Sequence, residues 1–193
     1  MPTSASDNPA PRERLLAAAD ELFYEEGIAT VGVDQILKRS DVARASLYST
    51  YGSKDELIRA YLQGRSAGWQ ALVAEVLPVR WNNARDRILG IYELLTEWFA
   101  TPGYRGCPFI NASAEAASSQ VVEMIRDDHR AWVRALFTDL AREAGAVDSD
   151  ALAAQLVLLY DGAMVGAQLD NNAAPGRAGS AAAMTLVDTA IRR

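Results

Sequence analysis

Apolar residues recur at helical spacing along nearly the whole chain, and no segment shows the two-residue alternation of a half-buried strand. Leu15, Ala18, Leu22 and Phe23 line one face of a first helix. It opens near Pro11, since proline is tolerated in a first helical turn, and stops at Gly27. The stretch from Val33 to Leu57, VDQILKRSDVARASLYSTYGSKDEL, then holds two very short amphipathic pieces. Val33, Ile36 and Leu37 form the apolar face of one, Leu47 and Tyr51 that of the other, and Val42 plugs the angle between them. Helices shorter than about 12 residues rarely hold in water, because nucleation is costly. Fixing two of them at a set crossing angle is what a helix-turn-helix does, and the pattern predicts one here.

The fourth helix carries a capping-box spacing, with Ser53 three residues before Glu56. Leu57, Ile58, Tyr61, Leu62, Trp69, Leu72, Val73 and Val76 continue it to Pro78, a rod long enough to leave one domain and enter another. A fifth helix spans about Asn83 to Ala100 and is broken by TPGYRG, and a short one follows around Phe109 to Ala117. Val122, Ile125, Trp132, Val133, Leu136 and Leu140 carry a longer helix from Ser119 to Ala144, stopped by Gly145. Ser149 or Asp150 caps the next, which reaches about Leu169. NNAAPGR reads as a turn before a last helix over Gly179 to Ile191. The expected fold class is all-α. Residues 1–10 are expected to form a disordered arm, 11–54 a three-helix helix-turn-helix domain, and 55–193 a C-terminal helical domain entered through the long fourth helix.

Charge complicates the picture. The 193 residues carry a net charge of −6, and Met1–Arg65 holds eight Lys/Arg against ten Asp/Glu, whereas a nucleic-acid binder is usually basic. Between Gln35 and Lys54 the sign turns, with Lys38, Arg39, Arg44 and Lys54 against Asp41 alone. Any non-specific affinity for DNA is therefore expected to be weak. No run approaches the ~20 apolar residues of a membrane span, and no signal peptide opens the chain, so a cytoplasmic protein is expected. Cys107 is the single cysteine and excludes an intramolecular disulfide. With His129 as the one histidine, a histidine-built triad or zinc cluster is excluded, and His129 reads as a core or surface residue. GxGxxG and P-loop patterns are missing. Neither a cofactor nor a metal is expected.

The segment GIATVGVDQILKRSDVARASLYSTYGSKDEL resembles the DNA-binding domain of the tetracycline-repressor (TetR) family of bacterial transcription regulators. The likeness is specific over about Arg12 to Leu62 and looser over Trp69–Arg193, where RGCPFINASAE is similar to a segment found in one branch of that family. It implies a homodimer that binds a palindromic operator in double-stranded DNA, most often as a repressor, and is released when a small-molecule effector enters the C-terminal domain. The family's recognition helix falls on Arg44 to Tyr51. By resemblance Tyr48 and Lys54 contact phosphates, while Arg44, Ala45, Ser46, Ser49 and Thr50 face bases or backbone. The chemistry suits those roles, because Arg grips a guanine edge, a methyl meets thymine and a helix N-terminus welcomes an anion. One departure is Asp41, where the family commonly has glycine. Aspartate enters the left-handed region less readily, and its charge near a phosphate opposes binding.

Trp98, Phe99, Tyr104, Phe109, Trp132 and Phe137 are mostly core by spacing. The resemblance implies an effector pocket among the middle helices, with Trp98, Tyr104, Phe109, Asn111 and Trp132 as its candidate walls. Cys107 precedes an expected helix start, and is either a buried packing residue or a thiol whose thiolate that helix stabilises. Gly162 and Gly166 lie four apart, a spacing that invites close approach of another helix. The partner is a middle helix of the same chain or, by resemblance, the last two helices of a second copy in a four-helix bundle. A different class stays open: an all-α small-molecule-binding protein or enzyme with a vestigial helix-turn-helix. The acidic balance and Asp41 favour it; the polar edge of the second short helix and the lack of a nucleophile–base pair oppose it.

Overall fold

The computed structural model describes residues 9–191, so the arm expected over 1–10 lies outside the described residues except for Pro9 and Ala10. Nine helices run through the described residues: α1 Pro11–Glu26, α2 Val33–Ser40, α3 Arg44–Tyr51, α4 Lys54–Arg80, α5 Ala84–Phe99, α6 Pro108–Glu115, α7 Gln120–Glu143, α8 Ser149–Asp170 and α9 Ala174–Ala190. One isolated antiparallel bridge joins Ala146 to Ile191, and there is no strand among the described residues. The fold is all-α, as the periodicity predicts.

Helices α4, α5, α7 and α8 each open on a capping side chain that accepts from an otherwise unpaired backbone N–H. Ser53 accepts from the Glu56 N–H at 3.1 Å, but the capping box is only half made, because Glu56 turns outward to Arg59. Asn83 accepts from the Asp86 N–H at 2.9 Å to open α5. The cap of α8 is Asp148, accepting from Ala151 N–H at 2.9 Å, and not Ser149 or Asp150 as expected. A second correction concerns NNAAPGR. The turn occupies only its first residues, and α9 begins at Ala174 with Pro175 in its opening turn, where the missing N–H has no partner to lose. Gly176 and Gly179 therefore sit inside α9, and a Cβ on Gly176 would fall 2.3 Å from Thr96 Oγ1 of α5. That close approach explains why glycine is kept in a helix despite its entropy cost.

Buried side chains form one continuous cluster from Leu15, Phe23 and Leu47 at the α1–α3 end to Phe137, Leu156 and Val187 at the other. Helix α4 threads both ends, burying Leu57, Ile58, Tyr61 and Leu62 first and Val73 and Leu77 later. Helices α5, α7, α8 and α9 pack around Tyr92, whose hydroxyl donates to the Leu156 carbonyl at 2.6 Å. By length and apolarity alone α8 is able to cross a membrane, with mean hydropathy 1.3 over its best window. Asp161 interrupts it, and it packs between α7 and α9, so its composition is that of a central core helix.

Candidate nucleic-acid interface and internal cavity

Helices α2 and α3 cross against α1 with Ile36 and Leu47 fully buried and Val42 nearly so. The turn between them puts Asp41 at φ 51° and ψ 47°, the left-handed geometry that the family's glycine adopts easily. Arg14 of α1 steadies it by donating to the Asp41 carbonyl at 3.2 Å, a support that the sequence did not reveal. Its guanidinium lies 4.0 Å from the Asp41 carboxylate, which stays fully exposed, so water screens the pair. With Leu47 turned inward, α3 leaves Arg44, Ala45, Tyr48, Ser49 and Thr50 exposed and Ser46 half-buried. Six of the seven residues expected to face DNA thus lie on α3, five of them exposed. Tyr48 is 46% exposed, a high value for an aromatic ring.

The positive charge of this face is smaller than its residue count. Arg44 is paired with Asp34 of α2, and Arg39 with Glu21 of α1 through Nε and Nη2 at 3.0 and 2.6 Å. Lys54 turns away from the outer edge, its Nζ donating to the Ile28 carbonyl at 2.7 Å, and burial lowers its pKa. Among the described residues Lys38 has no recorded ion pair.

A cavity of about 630 Å³ lies between α1, α4, α5, α6, α7 and α8. Its apolar walls include Trp69, Leu72, Trp98, Phe109, Tyr160 and Met164. Two bidentate ion pairs flank it: Asp20–Arg65, with both contacts at 2.7 Å, and Arg80–Glu97, at 2.9 and 2.6 Å. On one wall His129 stacks on Phe109 with ring centres 4.0 Å apart, and its Nδ1 meets Ser66 Oγ at 2.9 Å. Burial, and secondarily the charge of Arg130, pull the His129 pKa down to about 4, so the ring is neutral.

Trp98 and Phe109 line this cavity as expected, but the other three aromatic and polar candidates do not. Tyr104 stands behind Trp98, edge-on at 5.0 Å, with its hydroxyl donating to the Met164 carbonyl. Asn111 lies in an adjoining smaller hollow of about 190 Å³, donating to the Arg105 carbonyl. Trp132 packs beside His129 on the core side. Trp69 and His129 are wall residues that the sequence reading missed. The signal was present in α4, whose apolar stripe continues through Trp69, Leu72 and Val76 although Leu72 remains 41% exposed. Cys107 is buried on the same wall, and burial pushes its thiol up to about 11. The neighbouring N–H groups of Ile110 and Phe109 offset this only in part, which favours the packing reading of Cys107.

Helix α6 links the cavity to the helix-turn-helix. Cys107, Pro108 and Phe109 at its start form wall, and Glu115 at its end accepts from the Ala29 N–H at 3.0 Å in the α1–α2 loop. A Cβ on Gly27, whose φ is 93°, would fall 2.6 Å from that carboxylate. Tyr24 of α1 makes a second tie, accepting from the Arg105 N–H at 3.0 Å and donating to the Gly106 carbonyl at 3.1 Å.

Comparison with known proteins matches these features. The family model for bacterial regulatory proteins of the tetR family matches residues 15–61, from α1 through the helix-turn-helix into α4. The HTH-type transcriptional repressor NemR of Escherichia coli K12 is 32% identical over 105 residues, covering 54% of this chain and 53% of NemR. The alignment thus spans about half of that relative. The HTH-type transcriptional activator FasR of Mycolicibacterium smegmatis is 29% identical over 136 residues, 69% of this chain and 60% of FasR. The crystal structure of a TetR-family transcriptional regulator from Streptomyces coelicolor superposes with a TM-score of 0.87 at 31% identity, covering 94% of this chain and 96% of that one. With the helix-turn-helix, the long connecting helix and the whole C-terminal bundle matched together, the chain belongs to the TetR family of bacterial transcription regulators.

Proposed function

We propose that the protein is a ligand-responsive repressor that acts in the cytoplasm as a homodimer on a palindromic operator. Residues 11–54 serve as the DNA-binding unit and 55–193 as the effector-binding and dimerisation unit. The observation that carries the reading is the outer edge of α3, where Arg44, Ala45, Tyr48, Ser49 and Thr50 are exposed together while Leu47 anchors the helix from behind. An α-helix fits the major groove, and two copies of α3 set about 34–36 Å apart would read successive grooves of one duplex face. Arg44 and Lys54 first have to leave Asp34 and the Ile28 carbonyl, an exchange of partners that phosphate or guanine can drive. Repression is preferred to activation on the likeness to NemR, itself named a repressor.

The effector occupies the large cavity, and its presence changes the spacing of the two α3 helices. Helix α4 transmits the change as part of both ends of the core, and α6 transmits it from Phe109 to Glu115. An allosteric coupling of about 1–3 kcal/mol alters operator affinity roughly 5–150-fold. A gel shift with an operator selected from genomic DNA fragments by binding to the protein tests the DNA half of the reading. Arg44→Ala is expected to weaken binding by about 1–3 kcal/mol, and Tyr48→Phe by less, both without loss of helicity. Wild-type affinity in both variants would remove α3 as the recognition element. Affinity that does not fall steeply with salt would favour a protein that has no DNA partner.

A further inference from the structure

The cavity's polar equipment is unusually sparse, and it restricts what the cavity can hold. Every charged side chain on its wall is already spoken for: Asp20 by Arg65 and Glu97 by Arg80, each in a bidentate pair. A charged ligand would have to displace Asp20 or Glu97 from its arginine to find a counter-ion, a cost that a neutral ligand does not meet. Three hydrogen-bonding groups on the wall are left over: the buried Trp69 Nε1–H and the Tyr160 hydroxyl, which meet no recorded partner among the described residues, and one ring nitrogen of His129. Gln70 Nε2 donates to Ser66 Oγ at 3.0 Å, so the Ser66 hydroxyl proton is free to point at His129 Nδ1, and it meets no other recorded acceptor among the described residues. A neutral ring that accepts at Nδ1 carries its proton on Nε2. No described residue pairs with Nε2, although His129 is only 6% exposed and sits on the cavity wall. The stack on Phe109 and the Ser66 bond fix the ring plane, so this donor is held in one direction.

We propose that the His129 Nε2–H is a fixed hydrogen-bonding handle of the cavity, and that the effector is an uncharged aromatic molecule with a carbonyl-type acceptor. The aromatic body lies against Trp69, Trp98 and Phe109, and the acceptor meets the imidazole. This inference rests on reading the cavity as the effector site.

Four naphthalene probes test it by titration against the DNA-free protein, read by tryptophan fluorescence and calorimetry: a methyl naphthyl ketone, ethylnaphthalene, naphthoate and a naphthylmethyl-trimethylammonium. The ketone is expected to bind about 3- to 10-fold more tightly than ethylnaphthalene, the range that one net hydrogen bond supplies, and both charged probes more weakly than either. His129→Phe should erase the ketone's advantage and leave ethylnaphthalene unchanged, while His129→Gln, which keeps an N–H donor, should retain part of it. If His129→Phe does not fold, the ranking of the four probes on the wild-type protein and on His129→Gln decides. The proposal is overturned if either charged probe binds best, if the ketone's advantage survives in His129→Phe, or if no probe binds. A parallel gel shift separates the two readings. A ketone that binds through His129 but leaves the operator complex intact sinks release by effector and spares the handle. Release by naphthoate does the reverse.

Discussion

Burial sets the chemistry of the two reactive side chains on the cavity wall, and it acts on them in opposite directions. For His129 it disfavours the charged ring and brings the pKa to about 4 from 6.5. Between those values an unfolded chain binds a proton that the folded protein refuses. The stability contributed by the neutral ring is therefore complete above about pH 6.5 and is lost as the pH falls toward 4. Lowering the pH from 7 to 5 should depress the Tm of the wild type further than that of His129→Gln, and equal depressions would put the imidazole in water. For Cys107 the same burial disfavours the thiolate, and the pKa rises to about 11. At pH 8 iodoacetamide should label the native thiol about 100-fold more slowly than the denatured chain, in proportion to the thiolate present. Labelling at the denatured rate would show that Cys107 is open and reactive. The sequence shows both residues to be singletons, yet carries no sign that His129 looks into open space, since spacing identifies an apolar face and not whether that face is filled.

At the scale of elements the sequence was most legible where a helix carries a continuous stripe and a side-chain cap. Helices α4 and α5, which carry both, begin and end within a few residues of expectation, α1 to α3 do so without a side-chain cap, and α8 is displaced only by its Asp148 cap. The start of α9 was misread because Asn, Pro and Gly in succession look like a turn, whereas here Pro175 opens a helix and Gly176 admits α5. The tie from Glu115 to Ala29 spans 86 positions, and no local pattern encodes it. Its consequence is testable. Glu115→Ala removes the acceptor for the Ala29 N–H and frees the α1–α2 loop from α6, so effector affinity should stay within about 2-fold while release of the operator weakens. Titrating operator complexes of wild type and variant with the same effector measures this directly. Release undiminished in Glu115→Ala would leave α4 as the transmitting element.

At the scale of the whole molecule, one apolar surface has no use within a single chain. Leu158 is 71% exposed and Leu169 is 78% exposed, and with Gly162 and Val165 they recur every three or four residues along the outer face of α8. The two glycines singled out from sequence divide here: Gly166 meets Pro175 of α9 inside the chain, while nothing lies within 4 Å of a Cβ on Gly162. A second copy laying its own α8 and α9 across this face would bury the stripe, and a bare glycine at its centre would let the helices approach closely. The proposed dimer also answers the weak charge of the edge proposed to face DNA. With Arg39 and Arg44 already paired, a single α3 offers little affinity, and a useful operator complex needs two half-sites held together. The double variant Leu158→Glu, Leu169→Glu should therefore halve the mass measured by light scattering while keeping the helical circular dichroism. It should also weaken operator binding by about 10²–10⁴-fold, the gain that linking two modest sites confers. A variant that remains dimeric would move the interface off α8. One that turns monomeric yet keeps wild-type affinity would show that a single α3 suffices, and the argument from charge to dimer would fail.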